Sequence, residues 1–153
     1  MNGSGHATLP AFTSPPPTSA QSFLIAAQEF YSAVEVLVAE NSGKTARAWA
    51  LLSAQTLEGL LKAYLSYTGM TEKQLRDKEN FGHNLEKLWD ESATKGLNIP
   101  AAPPQWCKTL NSEYHKPYYR YPMGLNGMSL PAPIPMMLEL KEILDKVKVA
   151  IRP

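Results

Sequence analysis

Arg76 and His83 are the pair of side chains in this sequence whose types and spacing fit RNA cleavage without a metal ion. Such cleavage needs a general acid or base near neutral pH, which a histidine supplies. It also needs a cation to stabilise the phosphorane, which the guanidinium donors of an arginine do. Asn80-Phe81-Gly82 interrupts the helical pattern between the two residues, so their spacing does not guarantee a shared helix face. The alternative is that His83 forms a hydrogen bond near the start of the next helix and fixes the turn.

The segment YHKPYYRYP, residues 114–122, combines four tyrosines with one histidine, one lysine and one arginine. Tyrosine rings can stack a base and cationic side chains can hold a phosphate, so this segment is a candidate ligand site. Its candidate binding residues are Arg120, Tyr119, Tyr121, His115 and Lys116. The alternative is that the tyrosines fasten a proline-rich loop onto the helices, with their hydroxyls satisfied at the rim. Arg120 is expected either to contact a ligand or to pair with a buried acid such as Glu58.

Three further candidates for binding lie in the helical stretch that begins at Lys44. Lys44 and Arg47 fall in its first turn, where cations oppose the helix dipole but can hold a phosphate together with free backbone N–H groups. The alternative is that both are solvated or pair with a nearby acid. Glu58 precedes Lys62 by four residues, the favourable order for an ion pair on a helix surface. Gly59 beside it leaves room for a ligand or for a second backbone.

Helices must position all of these residues, because no segment shows the period of two that marks a strand. Lys44 to Gly69 is apolar over most of its surface and should be the central helix. The other predicted elements are a helix from Ala20 to Glu40 capped by Thr18 or Ser19, a short helix from Thr71 to Arg76 or Lys78, helices from His83 or Asn84 to Lys95, from Pro104 to Tyr114 and from Met136 to Ile151, and an irregular segment from Lys116 to Pro135. The sequence therefore predicts an all-α fold, an antiparallel bundle of four to five main helices with a Pro/Tyr-rich loop before the last.

Length and composition restrict the class of protein. The 153 residues fit one domain, with residues 1–18 as a loose Pro-, Ser- and Gly-rich arm and residues 19–153 as the folded part. A net charge of +1 gives no global field that would attract nucleic acid or a membrane, so any anion site must be local. The single cysteine, Cys107, excludes an internal disulfide. With no secretory signal and no apolar run near the ~20 residues that span a bilayer, we expect a soluble cytoplasmic protein without a metal site or cofactor.

Three short segments, in this order and on a helical background, resemble a known domain. Glu58, Leu61, Lys62 and Ala63 are similar to a recurring E-x-x-L-K-A helix. The GHNL of residues 82–85 is similar to a G-H-[DN]-L segment, and the RYP of residues 120–122 to the R-Y-P that ends a late helix. Together they resemble the HEPN family, named for nucleotide binding in higher eukaryotes and prokaryotes, over about residues 20–151.

The resemblance implies a helical bundle built on an α-hairpin, frequent homodimers, and one of two functions. One branch of the family consists of metal-independent ribonucleases, often toxins or anti-phage proteins, that use an Arg followed by a His; Arg76 and His83 would be that pair. The other branch lacks the pair, binds nucleotides or partners, and is often encoded beside a small nucleotidyltransferase. Because Asn80-Phe81-Gly82 separates Arg76 from His83, we expect a dimeric, non-catalytic module that binds a nucleotide, an RNA or a protein partner. The ribonuclease is the alternative.

Overall fold

The structure is a computed structural model and describes Gly5, residues 15–121 and residues 127–152. In these ranges the chain forms α-helices, one 3-10 helix at Gly43–Thr45, and no strand. The α-helices are α1 (Ser19–Ala39), α2 (Ala46–Tyr67), α3 (Glu72–Arg76), α4 (Leu85–Thr94), α5 (Gln105–Tyr114) and α6 (Pro133–Ala150). The predicted all-α class is confirmed.

The central position predicted for the second long helix is also found. α2 contacts each of the other five α-helices, and its buried residues include polar ones, Ser53, Thr56 and Lys62. It begins at Ala46, two residues later than predicted, because Ser42 caps a 3-10 turn over the preceding three residues. Its end agrees with the prediction, since Gly69 has a φ of +109°, a conformation in which glycine commonly stops a helix.

α1 and α2 form an antiparallel hairpin whose backbones approach closely. Near the turn, the Thr45 hydroxyl donates to the Leu37 carbonyl at 3.3 Å. At the other end, a Cβ added to Gly59 would lie 3.1 Å from the Ala27 Cβ and 3.3 Å from the Phe23 carbonyl oxygen. This approach accounts for a glycine in the middle of a helix, where it costs about 1 kcal/mol relative to alanine.

Local capping patterns in the sequence determine where two of the helices begin. The Thr18 hydroxyl accepts the Gln21 N–H at 3.2 Å, and the Gln21 side chain accepts the Thr18 N–H at 2.9 Å. Thr71 and Gln74 form the same reciprocal pair at the start of α3. The sequence pattern predicts the capping box at Thr71, and at α1 it predicts a cap by Thr18 or Ser19, of which the structure has Thr18.

The proline-rich segment before the last helix is shorter than predicted. After α5 the chain continues in turns as far as Arg120, and α6 begins at Pro133 rather than at Met136. Proline fits the first turn of a helix, where its missing N–H would have no intrahelical partner. Residues 122–126, which include the last residue of the RYP segment, lie outside the described residues, as does most of the arm predicted for residues 1–18.

α1 differs in one respect from the sequence expectation. By length and composition alone it is apolar enough to cross a membrane, and 17% of its most apolar stretch is buried. Core helices of soluble proteins, which are mostly buried, and signal sequences near an N-terminus meet the same criterion. In this structure α1 packs on α2 and α6. Its buried face consists of Ala20, Ala27, Tyr31, Val34 and Val38.

Gly59→Ala should destabilise the protein by about 1 kcal/mol, because the gain in helix propensity is smaller than the cost of pushing α1 away from α2. Urea unfolding followed by circular dichroism measures the change. Gly43→Ala is the control, since a Cβ there meets no atom within 4 Å. An unchanged or increased stability for Gly59→Ala would show that the hairpin is packed less tightly than the structure indicates.

Candidate functional site

Two helices and a turn meet at the Glu58 carboxylate. Its Oε1 lies 2.6 Å from the Lys62 Nζ, one turn further along α2. Its Oε2 lies 3.0 Å from the Nδ1 of His83, in the turn before α4, and also accepts the hydroxyl of Tyr114, the last residue of α5. The predicted Glu58–Lys62 pair therefore exists, but it is buried: the side chains are 13% and 7% exposed.

The donors around Glu58 determine its ionisation. Burial by itself would raise the pKa of this carboxyl, but the charge and hydrogen bond of Lys62 and the hydrogen bonds from Tyr114 and His83 outweigh it and lower the pKa. A carboxyl whose pKa is lower in the folded than in the unfolded chain stabilises the fold above its unfolded pKa of about 4.3. That contribution is lost as the pH falls through the lowered value.

The orientation of His83 follows from its bond to Glu58. A carboxylate can only accept a hydrogen bond, so the Nδ1 of a neutral His83 carries the proton and donates the hydrogen bond to Glu58. The Nε2 is then the ring nitrogen that can accept a proton or a hydrogen bond from a ligand. The side chain is 43% exposed, so a ligand in solvent can reach it.

A buried asparagine on α5 holds the start of α4, and with it the turn that carries His83. The Oδ1 of the Asn111 side chain accepts the Leu85 N–H at 2.8 Å. Its amide nitrogen donates to Asn84 at 3.3 Å and to Glu86 at 2.8 Å. Asn84 in turn caps α4 by accepting the Lys87 N–H. Asn84 and Asn111 therefore fix the turn. His83 forms its hydrogen bond with Glu58 of α2 instead.

Aromatic and cationic groups extend the cluster toward solvent. The rings of His83 and Tyr114 meet edge to face, with centroids 5.6 Å apart and planes at 73°. The Arg120 Cζ lies over the Tyr114 ring, 5.8 Å from its centroid, a cation–π arrangement. Burial and the neighbouring Glu58 raise the pKa of Tyr114. In the described part of the chain Arg120 forms no ion pair, so it is not the partner of Glu58.

A cleft of about 190 Å³ opens beside this cluster. Its polar wall is formed by Gln55, Glu58, Lys62, His83 and Tyr114, and its apolar wall by Phe23, Ala26, Ala27 and Phe30, with Gly59 between them. Because Gly59 has no side chain, α1 lies close enough for its phenylalanines to line the same cleft as the acid and the histidine.

The remaining candidate site residues either lie away from the cleft or stabilise the fold. Arg76 is exposed and pairs with Glu72 at 3.2 Å, and it lines a different depression from His83. Tyr119 is buried and its hydroxyl donates to the Ser129 carbonyl at 3.1 Å, the fastening role that was the alternative for this tyrosine. The other four, Lys44, Arg47, His115 and Lys116, are exposed, as is Tyr121.

Sequence reasoning missed three features of the site: Tyr114 as a donor to Glu58, Asn111 as the anchor of α4, and the phenylalanines of α1 as the apolar wall. By spacing, Phe23 and Phe30 belong to the apolar stripe of α1, a pattern that predicts core residues rather than a ligand site. A polar residue at a position of α5 that faces inward was the available signal for Asn111. Among the described residues no three His, Cys, Asp or Glu side chains are grouped as a metal site requires.

Comparison of the chain with protein-family models, with curated proteins and with solved structures found no match.

Lys62→Met should lower the free energy of unfolding by about 3 kcal/mol, because it leaves a buried carboxylate without its cation. Urea unfolding at pH 7 measures the loss. Lys141→Met removes the cation of an exposed i,i+4 pair, Lys141–Asp145, and should cost less than about 0.5 kcal/mol.

Adding Glu58→Gln to Lys62→Met should recover part of that loss, since both charges are then removed. The double variant should also lose less stability than the wild type as the pH falls below about 4. A double variant with the same acid sensitivity as the wild type would show that Glu58 is not the group responsible.

Proposed function

We propose that this chain is a HEPN-like, non-catalytic helical module, arranged as an antiparallel bundle, that binds a nucleotide or an RNA end at the cleft beside Glu58. One observation carries the proposal. The segments that resemble the family are far apart in sequence, yet Glu58 and Lys62 from the first, His83 from the second and Arg120 from the third surround one cluster. Side chains that meet in this way after folding are what a ligand site requires.

The cleft and its rim can bind the two parts of a nucleotide, the base and the phosphate, in separate regions. At about 190 Å³ the cleft is smaller than the roughly 300–1,000 Å³ of ordinary ligand pockets, so only the base of the nucleotide is placed in it. The base would lie against the phenylalanines of α1. The phosphate would remain at the rim, where Arg120 is exposed and free of ion pairs among the described residues. The exposed His83 ring lies between these two regions and can contact either part of the ligand.

The charged groups that cleavage would need already have partners in the structure, which favours binding over cleavage. The Glu58 carboxylate already accepts from three donors and has little capacity left to move a proton. Arg76, the cation that the ribonuclease reading requires, pairs with Glu72 while His83 pairs with Glu58. Arg76 and His83 also line different depressions, which does not favour a phosphorane held between them. The module would act in the cytoplasm, in a toxin–antitoxin or phage-defence setting, or beside a nucleotidyltransferase, as the family resemblance implies.

Binding of ATP and of a short RNA, measured by isothermal titration calorimetry, tests the proposal. Arg120→Ala should weaken binding about tenfold, because a hydrogen bond to a charged group contributes roughly 1.5–3 kcal/mol. Arg76→Ala is the matched control, an exposed arginine that pairs with Glu72 and lines a different depression, and should bind as the wild type does. Binding that is unaffected by Arg120→Ala, or no binding by folded protein, would refute the nucleotide site.

The metal-independent ribonuclease that uses Arg76 and His83 has one observation in its favour. A carboxylate that orients a histidine through Nδ1, as Glu58 does, leaves Nε2 available for proton transfer. Incubation of a mixed-sequence RNA with wild type, His83→Ala and Arg76→Ala in excess EDTA decides between the two functions. We expect no cleavage by any of the three. Cleavage by the wild type that is lost in both variants would establish the ribonuclease instead.

A further inference from the structure

The Lys62 ammonium is the most deeply buried of the charged groups that line the cleft. Its side chain is 7% exposed, compared with 13% for Glu58 and 43% for His83. A lysine ammonium has three N–H donors. One of them is directed to the Glu58 Oε1 at 2.6 Å, and the others have no acceptor among the described residues. Buried donors are normally hydrogen-bonded, and because Lys62 lines the cleft, a molecule in the cleft can supply the acceptors.

The charge around Lys62 suits a neutral acceptor better than a phosphate. The Lys62 ammonium and the Glu58 carboxylate cancel each other, so a phosphate beside Lys62 would also approach a buried negative charge. Arg120 is exposed and forms no ion pair in the described part of the chain, so a phosphate has a better partner at the rim. A carbonyl oxygen is neutral and accepts through two lone pairs, so it can bind Lys62 without displacing Glu58.

The other polar groups of the cleft distinguish a carbonyl from an amino group less sharply than Lys62 does. The Glu58 carboxylate already accepts from three donors, Lys62, His83 and Tyr114. The Gln55 amide also lines the cleft and offers both a donor and an acceptor, so it can pair with either group. Lys62 has donors only, and it is therefore the residue that can select between the two.

Nucleobases differ in the atom that they would present to Lys62. Guanine carries the carbonyl O6 and uracil the carbonyl O4, whereas adenine and cytosine carry an amino group at the corresponding positions. An ammonium that faces an amino group leaves two donors buried without acceptors, which weakens binding. Guanine has a second acceptor, N7, beside O6, and lysine commonly contacts these two atoms in nucleic-acid complexes.

We propose that Lys62 selects the base in the cleft, so that this chain binds guanine or uracil in preference to adenine or cytosine. The selection rests on the nucleotide site proposed above and adds to it which bases that site accepts. Lys62 has two roles in this arrangement, since the same ammonium neutralises Glu58 and presents its remaining donors to the ligand. The carbonyl edge of the base faces α2, and a face of its ring lies against the phenylalanines of α1.

Isothermal titration calorimetry of the wild type with matched nucleoside triphosphates tests the selection. ITP and ATP are the most informative pair, because hypoxanthine carries O6 where adenine carries its amino group and both bases keep N7. ITP should bind at least about tenfold more tightly than ATP, the difference expected for one hydrogen bond to a charged group. GTP should bind within about threefold of ITP, since it presents the same O6 and N7 to Lys62. UTP should bind more tightly than CTP for the same reason.

Variants at Lys62 test whether this residue makes the selection. Lys62→Arg keeps the charge and the donors, and it should keep the preference for ITP over ATP. Glu58→Gln with Lys62→Met removes the donors without leaving an unpaired buried carboxylate, and ITP and ATP should then bind within about twofold of each other. Circular dichroism verifies folding. Glu58→Gln with Lys62→Gln replaces that double variant if it does not fold, because an amide accepts as well as donates. Arg76→Ala, which alters a different depression, is the matched control and should retain the affinities of the wild type for both ligands.

Three results would overturn the selection and leave the nucleotide site standing or reduce it to a phosphate site. The first is wild-type protein that binds ATP as tightly as ITP, or more tightly. The second is a preference for ITP that persists undiminished in the double variant, which would assign the selection to another residue. The third is binding of tripolyphosphate as tight as that of ITP, which would show that the base contributes nothing. If no triphosphate and no short RNA bind the folded protein, the nucleotide site itself fails, a result distinct from the other three.

Discussion

The buried carboxylate of Glu58 determines much of how this molecule is arranged. A carboxylate whose side chain is only 13% exposed can keep its charge if its oxygens accept hydrogen bonds and a cation is close. The three donors that do this come from α2 itself, from the turn before α4 and from the end of α5. One acid thereby ties together segments that are 56 residues apart along the chain. Its requirement for donors also fixes His83 with one nitrogen bonded and the other available.

The position of that carboxylate depends in turn on how α2 is enclosed. α2 contacts all the other α-helices, and most of its surface is covered. Gly59 lets α1 approach on one side. Phe23 and Phe30 line the cleft that is left beside Gly59 and Glu58. A mixed polar and aromatic recess of this kind is typical of small-ligand sites.

The helices and several of their ends could be predicted from the sequence because the forces involved are local. Capping boxes at Thr18 and Thr71 and glycines with positive φ at Gly69 and Gly96 act within one or two turns, so neighbouring residues are sufficient to find them. The central role of α2 was visible for a similar reason, since a helix that is apolar over most of its circumference has to be enclosed. Two predicted starts differ from the structure. α2 begins later than predicted because a 3-10 turn precedes it, and α6 begins earlier because its first turn accommodates prolines.

The site could be predicted only in part, because its contacts join residues that are distant in sequence. The pairing of Glu58 with Lys62 is local and was foreseen, but its burial was not, since burial depends on what packs against α2. The same holds for Tyr114, which resembles the other tyrosines of its segment until folding places its hydroxyl on Glu58. Arg76 and His83 are close in sequence, yet each pairs with a different acid. The sequence by itself determined the helices and the kinds of side chain available for chemistry; only the tertiary structure decided which of them meet, because burial and long-range hydrogen bonds exist only once the helices have packed.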